Sequence, residues 1–192
     1  MGILVNGIDD KVRAFIEAQR MFFVASAPLS AGGHVNLSPK GLDTLRVISP
    51  TRVAYLDYVG SGAETLAHLK ENGRIVIMFC AMQGPPKILR LHGRGVVLEP
   101  QDETYQRLRP MFAVAPAGRA IVVVDVDRVA DSCGFGVPLY QFDRDRTQLV
   151  EWSERKGAEG LRDYQIKKNA VSLDGLPALD WVQAEAAAKT GE

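Results

Sequence analysis

The stretch HVNLSPKGLDTLRVISPTRVAYLDYVGSGAETLAHLKENGRIVIMFC, residues 34–80, decides the fold. It reads strand, turn, strand, helix, strand. His34-Val35-Asn36-Leu37-Ser38-Pro39-Lys40-Gly41 is a short strand ending in a lysine and a glycine. Pro39 removes one ladder donor and places this stretch at a sheet edge or strand end. Residues 51–58 form a second strand, in which Val53, Tyr55 and Asp57 alternate with Ala54, Leu56 and Tyr58. Gly60-Ser61-Gly62 opens a helix, and Ser61 with Glu64 matches the S-x-x-E capping box. That helix ends at Asn72-Gly73, where a left-handed residue costs glycine little. Ile75 to Phe79 is an unbroken apolar run, as expected for a strand buried on both faces.

Working outward, residues 9–20 space Val12, Phe15 and Ile16 three and four apart, which predicts an amphipathic helix. Residues 21–27 read as a buried strand, followed by a turn at Gly32-Gly33. After the rigid Gly84-Pro85-Pro86 turn, residues 87–99 read as a long strand with Arg90, His92 and Arg94 on one face. Residues 102–109 predict a short helix and 119–130 another strand. Cys133-Gly134-Phe135-Gly136-Val137-Pro138 reads as an irregular loop. From Thr147 onward the pattern turns helical, broken at Asp174-Gly175-Leu176-Pro177, and the last dozen residues read as a short helix or frayed tail. Six strands with few helices between them predict a mainly β protein, an antiparallel barrel with flanking helices, in a single domain over 1–192.

Composition narrows the function. Lysine and arginine total 23, and aspartate and glutamate also total 23. A net charge near zero argues against broad binding to nucleic acid or to an anionic membrane. Two distant cysteines give neither a disulfide framework nor a zinc site. With no apolar run of about 20 residues and no leader pattern, a cytoplasmic location is expected.

The chemistry-bearing residues gather at strand ends and at one helix start. A helix N-terminus offers free N–H groups and a partial positive charge, which suits phosphate. Ser61 and Thr65 add hydroxyls; Lys40 and Arg46 add charges. The alternative is that Ser61 only caps its helix. The Asn36–Lys40 strand offers backbone groups to the edge of a flat heterocycle; the alternative is an ordinary strand end. Arg90, His92 and Arg94 more often form a solvated face than a catalytic one. Asp125 and Asp127 point the same way along a strand, but nothing else supports hydrolysis. There is no nucleophile elbow, Walker lysine loop or G-x-G-x-x-G.

Met21-Phe22-Phe23-Val24-Ala25, Val35 to Gly41, Arg52 to Asp57, Gly60 to Thr65, Glu71 to Ile75, Leu91 to Gly95 and the Cys133 to Pro138 loop occur in the order and spacing of one family. The chain resembles the pyridoxamine 5′-phosphate oxidase-like, FMN-binding split-barrel flavoproteins. The resemblance implies a six-stranded Greek-key split barrel over about 21–140, with a helical C-terminal extension over about 141–192. It also implies a homodimer with FMN between subunits. Asn36, Leu37 and Ser38 would lie along the ring, and Lys40, Arg46, Ser61, Gly62 and Thr65 near the phosphate. The Gly134 loop would close the pocket, from its own or the partner subunit. The implied activity is flavin-dependent oxidation or reduction of a small-molecule substrate. An F420-dependent reductase and a non-enzymatic flavin- or haem-binding protein are the alternatives. Two departures weigh against vitamin B6 as substrate. The turn before the helix is Ser-Gly-Ala-Glu-Thr rather than Arg/Lys-rich, and no histidine follows Trp152.

Overall fold

In the computed structural model, residues 4–5, 7–113 and 116–190 are described. Eight strands form one antiparallel sheet. They are β1 (Leu4–Val5), β2 (Phe22–Ser26), β3 (Asn36–Lys40), β4 (Leu45–Ser49), β5 (Arg52–Tyr58), β6 (Arg74–Cys80), β7 (Ile88–Leu98) and β8 (Gly118–Ser132). The order is β3-β2-β6-β7-β8-β5-β4, with β1 pairing off this path to β8. Five helices flank the sheet: α1 (Asp10–Glu17), α2 (Glu64–Asn72), α3 (Glu103–Leu108), α4 (Gln148–Lys168) and α5 (Asp180–Thr190). Gly191 and Glu192, the end of the expected tail, lie outside the described residues.

The expected six strands become eight. Leu45–Ser49 forms its own strand beside β5, and Leu4–Val5 pairs with Val129 and Ala130. Five residues between a turn and Pro50 are too few for alternation to stand out from a loop. β3 and β4 end the strand path, each with one partner strand. The β6 expectation also needs correction: its burial alternates, with Val76 and Met78 only half-buried. It is β5 that is buried on both faces. Its Val53 and Tyr55 enter the main core, while Ala54 and Leu56 pack in a second cluster with Tyr105, Phe112 and Ile121.

Local rules account for most helix ends. Asp9 accepts from the Val12 N–H at 2.8 Å and caps α1, which turns Val12 and Ile16 inward. Gly73, at φ 70°, ends α2 and donates its N–H to Leu69 at 2.9 Å. The middle of α2 is enclosed, since Thr65 through Leu69 are all buried, the polar Thr65 and His68 included. α4 is broken at Gly157, whose backbone is not helical. The C-terminal segment is part of the body, since Ala178, Leu179 and Val182 belong to the main core and have no exposed surface.

Candidate functional site

β3 alternates between half-buried Asn36, Ser38 and Lys40 and exposed Leu37 and Pro39. The inward row meets α2 and the far side of the sheet. Asn36 Nδ2 donates to Thr65 Oγ1 at 2.8 Å, which ties β3 to the first turn of α2. Lys40 Nζ donates to Asp57 Oδ1 at 2.7 Å. Arg119 Nε holds the other oxygen of Asp57 at 2.7 Å, and its Nη1 donates to the Gly62 carbonyl at 2.9 Å. Asn169 Nδ2, after α4, donates to the Gly60 carbonyl at 2.9 Å. One polar network thus joins β3, β5, β8, the turn before α2 and the C-terminal segment.

Asp57 has no exposed surface. Burial, the strongest single influence, would raise its carboxyl. The charges of Lys40 and Arg119 and their hydrogen bonds outweigh that and hold it down at about 2. The ionised carboxylate between two cations leaves the cluster one positive charge in excess. Tyr55, two residues back on the same face of β5, is raised well above the usual phenol range, first by burial and then by Asp57. The Ser38 and Tyr55 hydroxyls and His68 Nε2 are buried without hydrogen-bond partners among the described residues. His68 Nδ1 lies 3.0 Å from Ser26 Oγ, and burial depresses the ring's basicity.

The start of α2 differs from the expected capping box. Its N-cap is Ala63, and no side chain caps the helix. Ser61 is exposed on the turn. Glu64 accepts from the Leu173 N–H at 3.3 Å instead of closing a box. Its carboxylate lies against Gly62, where any Cβ would collide with it. Glu64 thus brings a negative charge to the turn whose Gly62 carbonyl Arg119 holds.

Three expected site residues stand apart from the inward row. Leu37 is 62% exposed on its outer face. Arg46 grips Asp43 through two contacts of 3.0 Å, donates to the Met111 carbonyl at 2.9 Å and lies over the Phe112 ring. Gly134, at φ 66°, is pressed against the Lys87 backbone, where a Cβ would approach to 2.7 Å. Its loop is thus anchored on the β6–β7 connection. Of the basic face, Arg90 donates to Ser132 Oγ and Arg94 to the Asn72 carbonyl, while burial and then Arg128 lower the basicity of His92. Asp125 pairs with Arg52 at 2.6 Å, and a register shift opposite His92 and Gly93 interrupts the strand beside Asp127.

Asp57, Arg119 and Asn169 are the site residues that sequence reasoning missed. A carboxylate inside the apolar run RVAYLDY was the available signal, because a buried charge needs a cation nearby.

The sequence model described as pyridoxamine 5′-phosphate oxidase matches residues 8–133. The chain belongs to the pyridoxamine 5′-phosphate oxidase family. The family protein ustO of Aspergillus flavus is 40% identical over 196 residues, covering 93% of this chain and 78% of that one. Among solved structures, HupZ of Group A Streptococcus superposes with a TM-score of 0.50 at 19% identity, over 64% of this chain and 91% of HupZ. A HupZ variant gives 0.51 at 18%, over 65% and 99%. At such identities the likeness shows the fold alone. Membership in the family extends over the whole inward row and its partners, from Asn36 to Arg119. Trp152, after the matched region, stacks edge-on against Tyr164 at 5.1 Å.

Proposed function

We propose that this chain is a flavin-dependent oxidoreductase that holds FMN between two copies of itself and acts on a small molecule. The observation that carries the reading is the inward row of β3. Ser38 presents a buried hydroxyl without a partner, between Asn36 and Lys40 and close to a helix start that no side chain caps. A buried hydroxyl left unpaired costs about 1–3 kcal/mol. A ligand that accepts or donates there removes that cost. Asn36 and Ser38 would hold the ring edge, while Lys40, Thr65 and the first N–H groups of α2 would face the phosphate. When bound, the flavin supplies the hydride chemistry. The residues of the chain bind it, orient it and exclude water. That division of labour accounts for a site built without a nucleophile–base pair.

Two further features support the reading. The order β6-β7-β8-β5, with β3 and β4 ending the path, suits a Greek-key split barrel. Val35 and Leu37, 75% and 62% exposed beside the site, suit a face covered by a second copy. The burial of Ala178, Leu179 and Val182 in the main core supports treating barrel and extension as one unit.

The test is direct. Protein purified with its cofactor should be yellow, absorb near about 450 nm, and release FMN on denaturation. Lys40→Ala should weaken FMN binding by roughly 1.5–3 kcal/mol, one charge-assisted contact. Ser38→Ala should weaken it less, with unchanged circular dichroism in both variants. Unchanged affinity in Lys40→Ala would misplace the phosphate. A colourless protein that takes up neither FMN nor F420, or one with a Soret band, would end the reading.

A further inference from the structure

A cleft of about 610 Å³ opens where α1 leads into β2 and where the irregular segment after β8 crosses the end of β6. That volume lies within the range of small-molecule sites, roughly 300–1,000 Å³. Met21, Met82, Tyr140, Phe142 and buried Cys80 are among its lining residues. The segment is held over the cleft by its backbone, since the Tyr140 N–H donates to the Met82 carbonyl at 2.9 Å.

The chemistry of the walls is specific. Two methionines and two aromatic rings form an adaptable surface for a flat apolar body. Arg20 also lines the cleft, with its guanidinium 5.2 Å from the centre of the Phe142 ring. No carboxylate pairs with Arg20 among the described residues, whereas the other arginine of the cleft, Arg144, has Asp143 at 3.5 Å. Gln19, Gln83 and Gln141 add neutral hydrogen-bonding groups. An unpaired guanidinium beside an aromatic wall recognises a planar anion, and a carboxylate matches its fork.

Position adds meaning to the chemistry. Phe22, two residues after Arg20, is the register partner of Lys40, and a Cβ on Gly41 would lie 3.5 Å from the Arg20 carbonyl. The cleft is therefore next to the end of β3 whose inward row forms the candidate cofactor site.

We propose that this cleft binds a small molecule with an aromatic or similarly flat apolar body and a single carboxylate, gripped by Arg20 and stacked on Phe142. As the substrate site of the flavoprotein, the proposal rests on the function given above; as a carboxylate site, it stands on the cleft alone.

The test uses 3-phenylpropionate and its neutral amide as probes, titrated into the purified full chain and followed by saturation-transfer NMR. The wild-type protein should bind the carboxylate, and Arg20→Gln should weaken it by roughly tenfold or more while leaving amide binding unchanged. Phe142→Ala should weaken both probes. Arg20 and Phe142 are exposed, so both variants should keep the wild-type melting temperature. Absence of carboxylate binding by wild-type protein, or equal binding by Arg20→Gln, overturns the proposal. Flavin content is read on the same samples by absorbance, so the two readings fail separately. A yellow protein indifferent to the probe loses the cleft, and a colourless one that binds it through Arg20 loses the flavin.

Discussion

Asp57 is a carboxylate without exposed surface, fixed by Lys40 and Arg119 from two other strands. Its carboxyl is ordinarily near 3.8 and in the fold lies at about 2. A depressed acid stabilises the fold fully above its unfolded value and loses that contribution as pH falls through its folded value. The window therefore runs from about pH 4 down to about pH 2, and its size is on the order of 2 kcal/mol. Urea midpoints measured across this window should fall in the wild-type protein. In Asp57→Asn that slope should be largely missing. At neutral pH the same variant leaves buried Arg119 and half-buried Lys40 without the carboxylate between them and should lose about 3 kcal/mol of stability. Lys40→Met should cost less, because Arg119 still pairs the carboxylate. The sequence singled out Asn36 to Lys40 as one run, Leu37 included; the strand's alternation then turns Asn36, Ser38 and Lys40 inward and Leu37 outward. Asp57 and Arg119 were not singled out, because their meeting is a matter of strand register rather than spacing.

At the scale of elements, helix ends divide into those set locally and those set from a distance. Gly73 is local: its φ of 70° is strained for any other residue. Gly73→Ala should cost about 1 kcal/mol in thermal or urea unfolding, with little change in fold. The start of α2 is not local. Ser61 and Glu64 have the spacing of a capping box, yet Leu173, far along the chain, competes for Glu64 and the box does not form. The start of α5 is also capped from outside. Glu99, 2% exposed, accepts the Asp180 N–H at 2.8 Å and the Trp181 N–H at 3.2 Å, and binds Lys70. Burial favours its neutral form, but Lys70 and these N–H groups prevail and hold it below the usual range. Glu99→Ala should free α5, so hydrogen exchange should speed up in residues 180–183 with little change in β6. No sequence pattern announces this cap, since 99 and 180 are joined only by folding. The strands were easier: β2, β3, β5, β6, β7 and β8 each followed from alternation or an apolar run. β4 escaped because its five residues have only Val47 fully inward.

For the whole molecule, the arrangement of apolar surface points outward as much as inward. Phe135 is 81% exposed and Leu139 74%, on the same irregular segment that crosses the cleft lined by Arg20 and Phe142. Val35 and Leu37, 75% and 62% exposed, add to the apolar side chains that face water, and a second copy of the chain is the cover proposed for them above. Light scattering on the purified protein should give twice the 21.0 kDa of one chain. Leu37→Asp should shift that mass toward the monomer and lower flavin content with it. The mainly β antiparallel sheet and its flanking helices were legible in outline, because periodicity and turn residues mark elements. The clasp between extension and sheet was not, because Asn169, Leu173 and Asp174 carry no pattern of their own. It is made by single contacts, among them His34 Nδ1 with Asp174 at 2.6 Å.

The main core gathers Ile8 at one extreme and Val182 at the other. During synthesis the sheet is thus exposed on the ribosome with its hydrophobic interior unsealed, and sealing waits for the last helix to emerge. Such distant partnerships slow folding and lengthen the time in which chaperones are needed. A nonsense change between residues 133 and 178 would release a chain with every strand present and no lid on its interior, destined for proteolysis rather than for weak activity.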